Sequence, residues 1–123
     1  MSETPEKIIY ICTHAGEDPE RASLPFVLAN AALTMEVQAV VALQSTGVFL
    51  AKKGYLENVF AAGLPPLADL VKNFLAQGGQ LVVCVPCIRE RKIDESDLIE
   101  GARPVAGAAL TMEMLEAKAC LVY

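Results

Sequence analysis

Short, continuously apolar runs alternate along this chain with longer stretches whose apolar positions recur every three or four residues. The runs at Lys7–Cys12, 37–43, Gln80–Cys84, around 103–105 and Ala119–Val122 predict strands. The first three are apolar on both of their alternating faces, the pattern of strands covered by helices on both sides. Strands that alternate with helices predict an α/β fold: one domain over 1–123, with a mostly parallel five-stranded sheet and helices on both faces.

The first helix has two candidate starts. Asp18 can cap it with Pro19 in the first helical position, or Ser23 can cap it with Leu24 and Pro25 in the first turn. A proline inside a helix removes a hydrogen bond and clashes with the preceding turn, so the sequence predicts a kink or a preliminary turn before a helix over 24–35. Leu24, Phe26, Val27, Leu28, Ala31, Ala32 and Leu33 leave that helix little polar face, so it should be buried against the sheet or a neighbouring subunit. After the second strand, Ser45-Thr46-Gly47 reads as a turn into a short helical piece over 48–53. Pro65-Pro66 opens a helix carrying Leu67, Leu70, Val71, Phe74 and Leu75 that stops at Gly78-Gly79. A last helix over 107–117 places Leu110, Met114 and Leu115 on one face, with its methionines read as core fillers.

Composition changes this picture in two ways. At 54% hydrophobic residues and a mean hydropathy of +0.40, the chain is rich for a small monomer, which points to a homo-oligomer that hides apolar helix faces between subunits. A net charge of -5 and a pI near 4.8 oppose nucleic-acid binding, which needs a sizeable positive surface, and the basic run 89–92 is too short to reverse that. Asn30, Glu36, Gln38 and Gln44 interrupt the best apolar stretches before they reach the roughly 18 residues of a membrane helix, so no membrane insertion is expected. Met1-Ser2-Glu3-Thr4-Pro5-Glu6-Lys7 has no basic leader region, which predicts a cytoplasmic protein with reduced thiols.

The candidate chemistry lies in Val83-Cys84-Val85-Pro86-Cys87-Ile88-Arg89, where an apolar strand runs into a Cys-x-x-Cys pair followed by basic residues. Backbone N–H groups at a helix start and nearby arginines favour a thiolate, so Cys84 and Cys87 are the candidate catalytic residues. Pro86, lacking an N–H, suits the first helical turn. Arg89 and Arg91 read equally as anion stabilisers or as a solvated helix face. Cys12 and Cys120 lie in apolar strands and read as buried core thiols.

In open α/β sheets, sites form beyond the carboxyl ends of the strands, where strand order reverses. A flavodoxin-like order makes the first and third strands neighbours and brings Thr13 and His14 close to Cys84 and Cys87. Thr13, His14, Ser45, Thr46 and Arg89 are the candidate substrate-binding residues. His14 is either a base or hydrogen-bond partner of the thiolate, or a surface loop histidine. The acidic residues of 17–20 argue against phosphate in the first loop and for capping of the helix that follows. With a single histidine and a single Cys-x-x-Cys, the sequence calls for no metal and no cofactor.

In this order along the chain, Glu17-Asp18-Pro19-Glu20-Arg21-Ala22-Ser23-Leu24-Pro25-Phe26, Gln44-Ser45-Thr46-Gly47-Val48, Pro65-Pro66-Leu67, 83–89 and 94–102 resemble the DsrE/DsrF-like family, with its TusD-like and YchN-like sulfur-relay members and a branch labelled predicted peroxiredoxins. The resemblance implies a parallel, DsrEFH-like sheet and a homotrimer or homohexamer. It also implies a cysteine that carries sulfur as a persulfide between donor and acceptor proteins. That cysteine maps onto Cys84. Cys87 departs from the TusD-like pattern, which has a small residue there, and Glu90 and Lys92 depart from its Arg-Gly turn. The leading expectation is a cytoplasmic sulfur carrier. The alternatives are a dithiol redox protein using Cys84 and Cys87, and a non-catalytic oligomeric binding module.

Overall fold

The alternation of apolar runs and helical stretches resolves into five parallel strands: β1 (Lys7–Cys12), β2 (Gln38–Leu43), β3 (Gln80–Cys84), β4 (Ala102–Val105) and β5 (Ala119–Val122). The computed structural model describes residues 5–123, so the reading of 1–4 as part of a leaderless N-terminus lies outside the described residues. Four α-helices connect the strands: α1 (Pro19–Thr34), α2 (Leu67–Ala76), α3 (Val85–Glu90) and α4 (Gly107–Glu116). A 3-10 helix over Ser45–Ala51 follows β2. No helix of the described residues is long and apolar enough to cross a membrane.

The predicted fold class stands, but the strand order is β4-β3-β2-β1-β5. This departs from the flavodoxin-like order in one respect that matters for the site. β2 lies between β1 and β3, pairing Tyr10 with Val41 on one side and Val41 with Leu81 on the other. At the usual strand spacing this sets β1 and β3 about 10 Å apart.

Asp18 is the cap that α1 uses: its carboxylate accepts from the Arg21 N–H at 3.2 Å, with Pro19 opening the helix. Ser23 is buried inside the helix, and α1 runs from Pro19 through Pro25 where the sequence predicts a break before Leu24. Packing overrides the local penalty. Ala22, Phe26 and Ala29 are fully buried, and the Phe26 ring meets Phe74 of α2 edge-on at 5.5 Å. Burying one aromatic side chain stabilises by about 2–3 kcal/mol, comparable with the roughly 3 kcal/mol cost of a mid-helix proline.

Strand alternation splits the core between the two faces of the sheet. Tyr10, Cys12, Val41, Leu43, Leu81 and Val83 face α1, α2, α3 and the 3-10 helix, in a core closed by Phe26, Leu50, Phe74 and Ile88. Ile9, Ile11, Val40, Ala42, Val82 and Val105 face the other way and meet α4 through Leu110 and Met114. That second layer is thin. Met112 and Leu115 of α4 are exposed, against the expectation of a buried face that includes Leu115, and so is every residue of the edge strand β5. Cys120 is therefore exposed, not the core thiol that its apolar strand predicts.

Candidate functional site

Cys84 is the last residue of β3 and sits at the N-cap position of α3, with Pro86 in the first turn and Cys87 one residue on. The predicted strand-to-helix delivery of two thiols is what the backbone does here. Both cysteines are free and half-buried, and their thiols are near neighbours.

Cys84 packs with Cys87 at the edge of the core beneath α1, α2 and α3, and the residue also borders a small cleft of about 40 Å³ at the start of α4. Ala42, Val82, Val105 and Leu110 give the cleft apolar walls, while Gln44, Ala106 and Gly107 border it at the carboxyl edge. The register that sets Cys84 beside Val105 of β4 brings the start of α4 to the thiol. Sequence reasoning missed Gln44, Val105, Ala106 and Leu110, because they join Cys84 only once β2 and β4 are known to flank β3. The apolar run before Cys84 was the available signal, since it places the cysteine in the middle of a parallel sheet.

The electrostatics differ from the expected low-pKa thiolate. Burial pushes the Cys84 thiol above its ordinary value, and its hydrogen bond to the Cys87 thiol acts in the same direction. The Cys87 backbone N–H and the Arg91 guanidinium oppose this without overcoming it. Desolvation disfavours the charged form more than a short helix start favours it. Around Cys87 the donors converge. The Ser45 N–H donates to the Cys87 Sγ at 3.2 Å, and Arg91 Nη1 donates to the Cys87 carbonyl at 3.2 Å.

Ser45 owes this position to backbone geometry. It has φ of +52°, in the left-handed region that non-glycine residues rarely adopt. The turn behind it is anchored by Gly47, where an added Cβ would collide with the Cys12 carbonyl oxygen. Only glycine lets the turn press so closely on the end of β1. Thr46 is half-buried in the same turn, and Arg89 projects from the exposed side of α3.

The first loop does not join the cysteines, because β2 stands between β1 and β3. The Thr13 hydroxyl donates to the Tyr123 carbonyl at 2.6 Å and the Thr13 N–H donates to the same oxygen at 2.9 Å. These bonds fill the β1–β5 crevice, where strand order reverses. His14 Nδ1 lies 2.7 Å from the Glu17 carboxylate, which also accepts from the Ala15 N–H. Burial works against the Glu17 anion, but the Ala15 amide and His14 together hold its pKa below the ordinary value. The acidic cluster thus closes its own loop and caps α1. Cys12 is fully buried; its thiol donates to the His14 carbonyl, and burial pushes its pKa up to about 11. Among the described residues no group of three His, Cys, Asp or Glu side chains is placed to hold a metal ion.

Comparison with known proteins supports this architecture. The chain is 32% identical over 110 residues to the uncharacterized protein MJ0760 of Methanocaldococcus jannaschii, covering 89% of this chain and 40% of that protein. It is 35% identical over 97 residues to the uncharacterized protein MJ0989 of the same organism, covering 79% of this chain and 82% of the relative. The chain thus spans less than half of the first relative and most of the second. The fold is similar to that of the ychN protein from E. coli, with a TM-score of 0.81 at 21% identity over 96% of this chain and 99% of that one. The protein MTH1491 of Methanobacterium thermoautotrophicum is similar at a TM-score of 0.66 and 16% identity, over 98% of this chain and 100% of that one. Residues 6–123 match the model of the DsrE/DsrF-like family, and the chain belongs to that family.

Proposed function

We propose that this protein is a cytoplasmic sulfur-relay protein that holds sulfane sulfur as a persulfide on the Cys84/Cys87 pair between a donor and an acceptor protein. The observation that carries the reading is the placement of two free, half-buried thiols at the carboxyl edge of a parallel sheet, beside a small apolar cleft. The 40 Å³ of the cleft holds roughly three water-sized groups, which suits a terminal sulfur and excludes a bulky ligand. A thiolate attacks the outer sulfur of a donor persulfide, the donor's sulfur–sulfur bond breaks, and the donor leaves as its thiolate. The family resemblance supports the same chemistry.

Glutathione persulfide added to the reduced protein should increase its intact mass by one sulfur atom, and the Cys84→Ser, Cys87→Ser double variant should gain none. A wild-type protein that gains no sulfur would overturn the reading. A second reading draws on the same thiol–thiol contact, which is also the starting geometry of a disulfide. Loss of the thiol hydrogens without any sulfur gained would favour dithiol redox chemistry.

The homotrimer or homohexamer expected of this chain has support in the apolar surface of α4 and β5. Leu115 is 75% exposed, Val122 68% and Met112 56%, beside a strand edge with unpaired backbone groups. Burial of this surface between copies predicts that Leu115→Glu shifts the molar mass measured by light scattering toward the monomer.

A further inference from the structure

Three helices of the fold end in the same turn, and one of them ends on an ill-suited residue. At the end of α1 the Glu36 N–H donates to the Leu33 carbonyl at 3.1 Å, and the Val37 N–H donates to the Ala32 carbonyl at 3.0 Å. Gly78 and Gly79 make the same two bonds at the end of α2, to Leu75 and Phe74. Lys92 and Ile93 make them at the end of α3, to Arg89 and Ile88. Such a turn places the residue just past the helix in the left-handed region, and φ is +63° at Glu36, +89° at Gly78 and +57° at Lys92. Glycine adopts that conformation freely, and a lysine complements the partial negative charge of a helix end. Glu36 does neither. It holds a left-handed backbone and sets a carboxylate against the negative end of α1. Among the described residues no lysine, arginine or histidine forms an ion pair with it.

The ends of α1 and α2 meet. Glu36 and Gly78 line one open crevice of about 240 Å³ at the amino edge of the sheet, where β2 and β3 begin. Leu33 and Val37 give it apolar surface, and Gln38, Gln77 and Gln80 border it with carboxamides. Neither helix has a basic residue in its last turn. The crevice thus joins a carboxylate, two negative helix ends and amide oxygens, at the opposite edge of the sheet from Cys84 and Cys87.

We propose that this crevice binds a small aliphatic amine in its ammonium form. An ammonium group offers three N–H donors and no acceptor, which complements this set of oxygens, and an alkyl chain finds apolar contact on Leu33 and Val37. A divalent metal fits less well, because one carboxylate supplies little charge for a hard cation, and no group of three His, Cys, Asp or Glu side chains among the described residues is placed to hold one. Backbone strain kept at one helix end, while its neighbour uses glycine, points to a side chain retained for a task other than folding. The site is independent of the sulfur chemistry.

Putrescine titrated into the nitrogen-15-labelled protein tests it, with the backbone amides of Val37, Gln38, Gly78 and Gly79 followed by NMR. Butane-1,4-diol, of the same length but uncharged, and sodium chloride at matched ionic strength are the controls. The wild-type amides should shift saturably with putrescine and with neither control. Glu36→Gln should weaken binding about tenfold, the size expected when a hydrogen bond to a charged group is lost. Glu36→Gly should remove binding and yet melt at a higher temperature than wild type without amine, because glycine relieves the left-handed turn. Wild-type amides that respond no more to putrescine than to the diol or the salt would overturn the site, as would either variant binding as tightly as wild type. A Glu36→Gly protein that melts below wild type would show that Glu36 serves the helix end itself, and would overturn the proposal as well.

Discussion

Cys12 and Cys84 each end a parallel strand and meet the same core layer, yet one is sealed and the other is half-open. Cys12 points with Tyr10 and Leu43 into the layer sealed by α1 and α2, where nothing reaches it. Cys84 lies at the edge of that layer beside Cys87, under the six-residue α3, and borders the small cleft at the start of α4. The sequence environments are alike, since both residues close a continuously apolar run. What separates them is the cover at each strand end: α1 closes over Cys12, whereas the six-residue α3 and the thin cover of α4 leave Cys84 half-buried. A reactive thiol needs incomplete cover, and the end of β3 supplies it.

The largest expected effect tests the thick layer. Phe26 is fully buried and packs edge-on against Phe74, so Phe26→Ala should destabilise the protein by about 3–5 kcal/mol in urea unfolding. A cost near 1 kcal/mol would mean that the layer collapses around the gap, and that the two faces are less different than their packing implies.

Next in size is the pH dependence of Cys12. Its folded pKa is pushed up to about 11 from an ordinary value of 9.0, so the folded chain retains a proton that the unfolded chain loses between those values. The contribution is fully present below pH 9 and is lost as pH rises through 11, amounting to about 3 kcal/mol. Unfolding measured at both ends of this window should show the Cys12→Ala variant losing less stability than wild type by about that amount. Parallel slopes in the two proteins would show that water reaches Cys12, which would erase the contrast with Cys84.

The thin layer should respond more weakly. Leu110 is the one buried residue of α4, and because the cleft beside it is already open, Leu110→Ala should cost about 2 kcal/mol, at the low end for a core leucine. The same change widens the cleft that Cys84 borders. It should therefore speed alkylation of Cys84 by iodoacetamide without exposing Cys12, as read by peptide mapping.

How far these contrasts could be read before the structure depends on which physical term decides each one. The strands were legible because their apolar runs are continuous, and the Cys84-to-Cys87 strand-to-helix step because Pro86 marks a first turn. The order of the strands was not legible, since local pattern does not state which neighbour a buried parallel strand chooses. That single uncertainty misplaced Thr13 and His14 beside the cysteines and hid Val105 and Leu110 from view. Arg89 and Arg91 looked equivalent in sequence, but only Arg91 lies one helical turn beyond Cys87 and reaches back to its carbonyl. The cleft beside Cys84 was invisible because β4 and α4, which close it, arrive later in the chain. The exposure of Cys120 likewise depends on β5 being an edge.

The smallest effect asks whether charge or apolar contact keeps α4 on the sheet. Lys7 reaches Glu113 at 2.8 Å and Glu116 at 3.2 Å, joining the start of β1 to the far end of α4. Its pKa is raised, first by the Glu113 hydrogen bond, with burial opposing and Glu116 adding to the rise. A raised lysine stabilises the fold below its ordinary pKa of 10.5 and ceases to do so as pH climbs through the higher folded value. Because Glu116 is well exposed, the gain is small, and Lys7→Met should cost less than about 1 kcal/mol, with the difference shrinking as salt is added. If Lys7→Met instead costs more than Leu110→Ala, the cover over the Cys84 cleft is held by an ion pair more than by apolar packing. Salt alone would then loosen α4 and open the site, which alkylation of Cys84 against ionic strength would reveal.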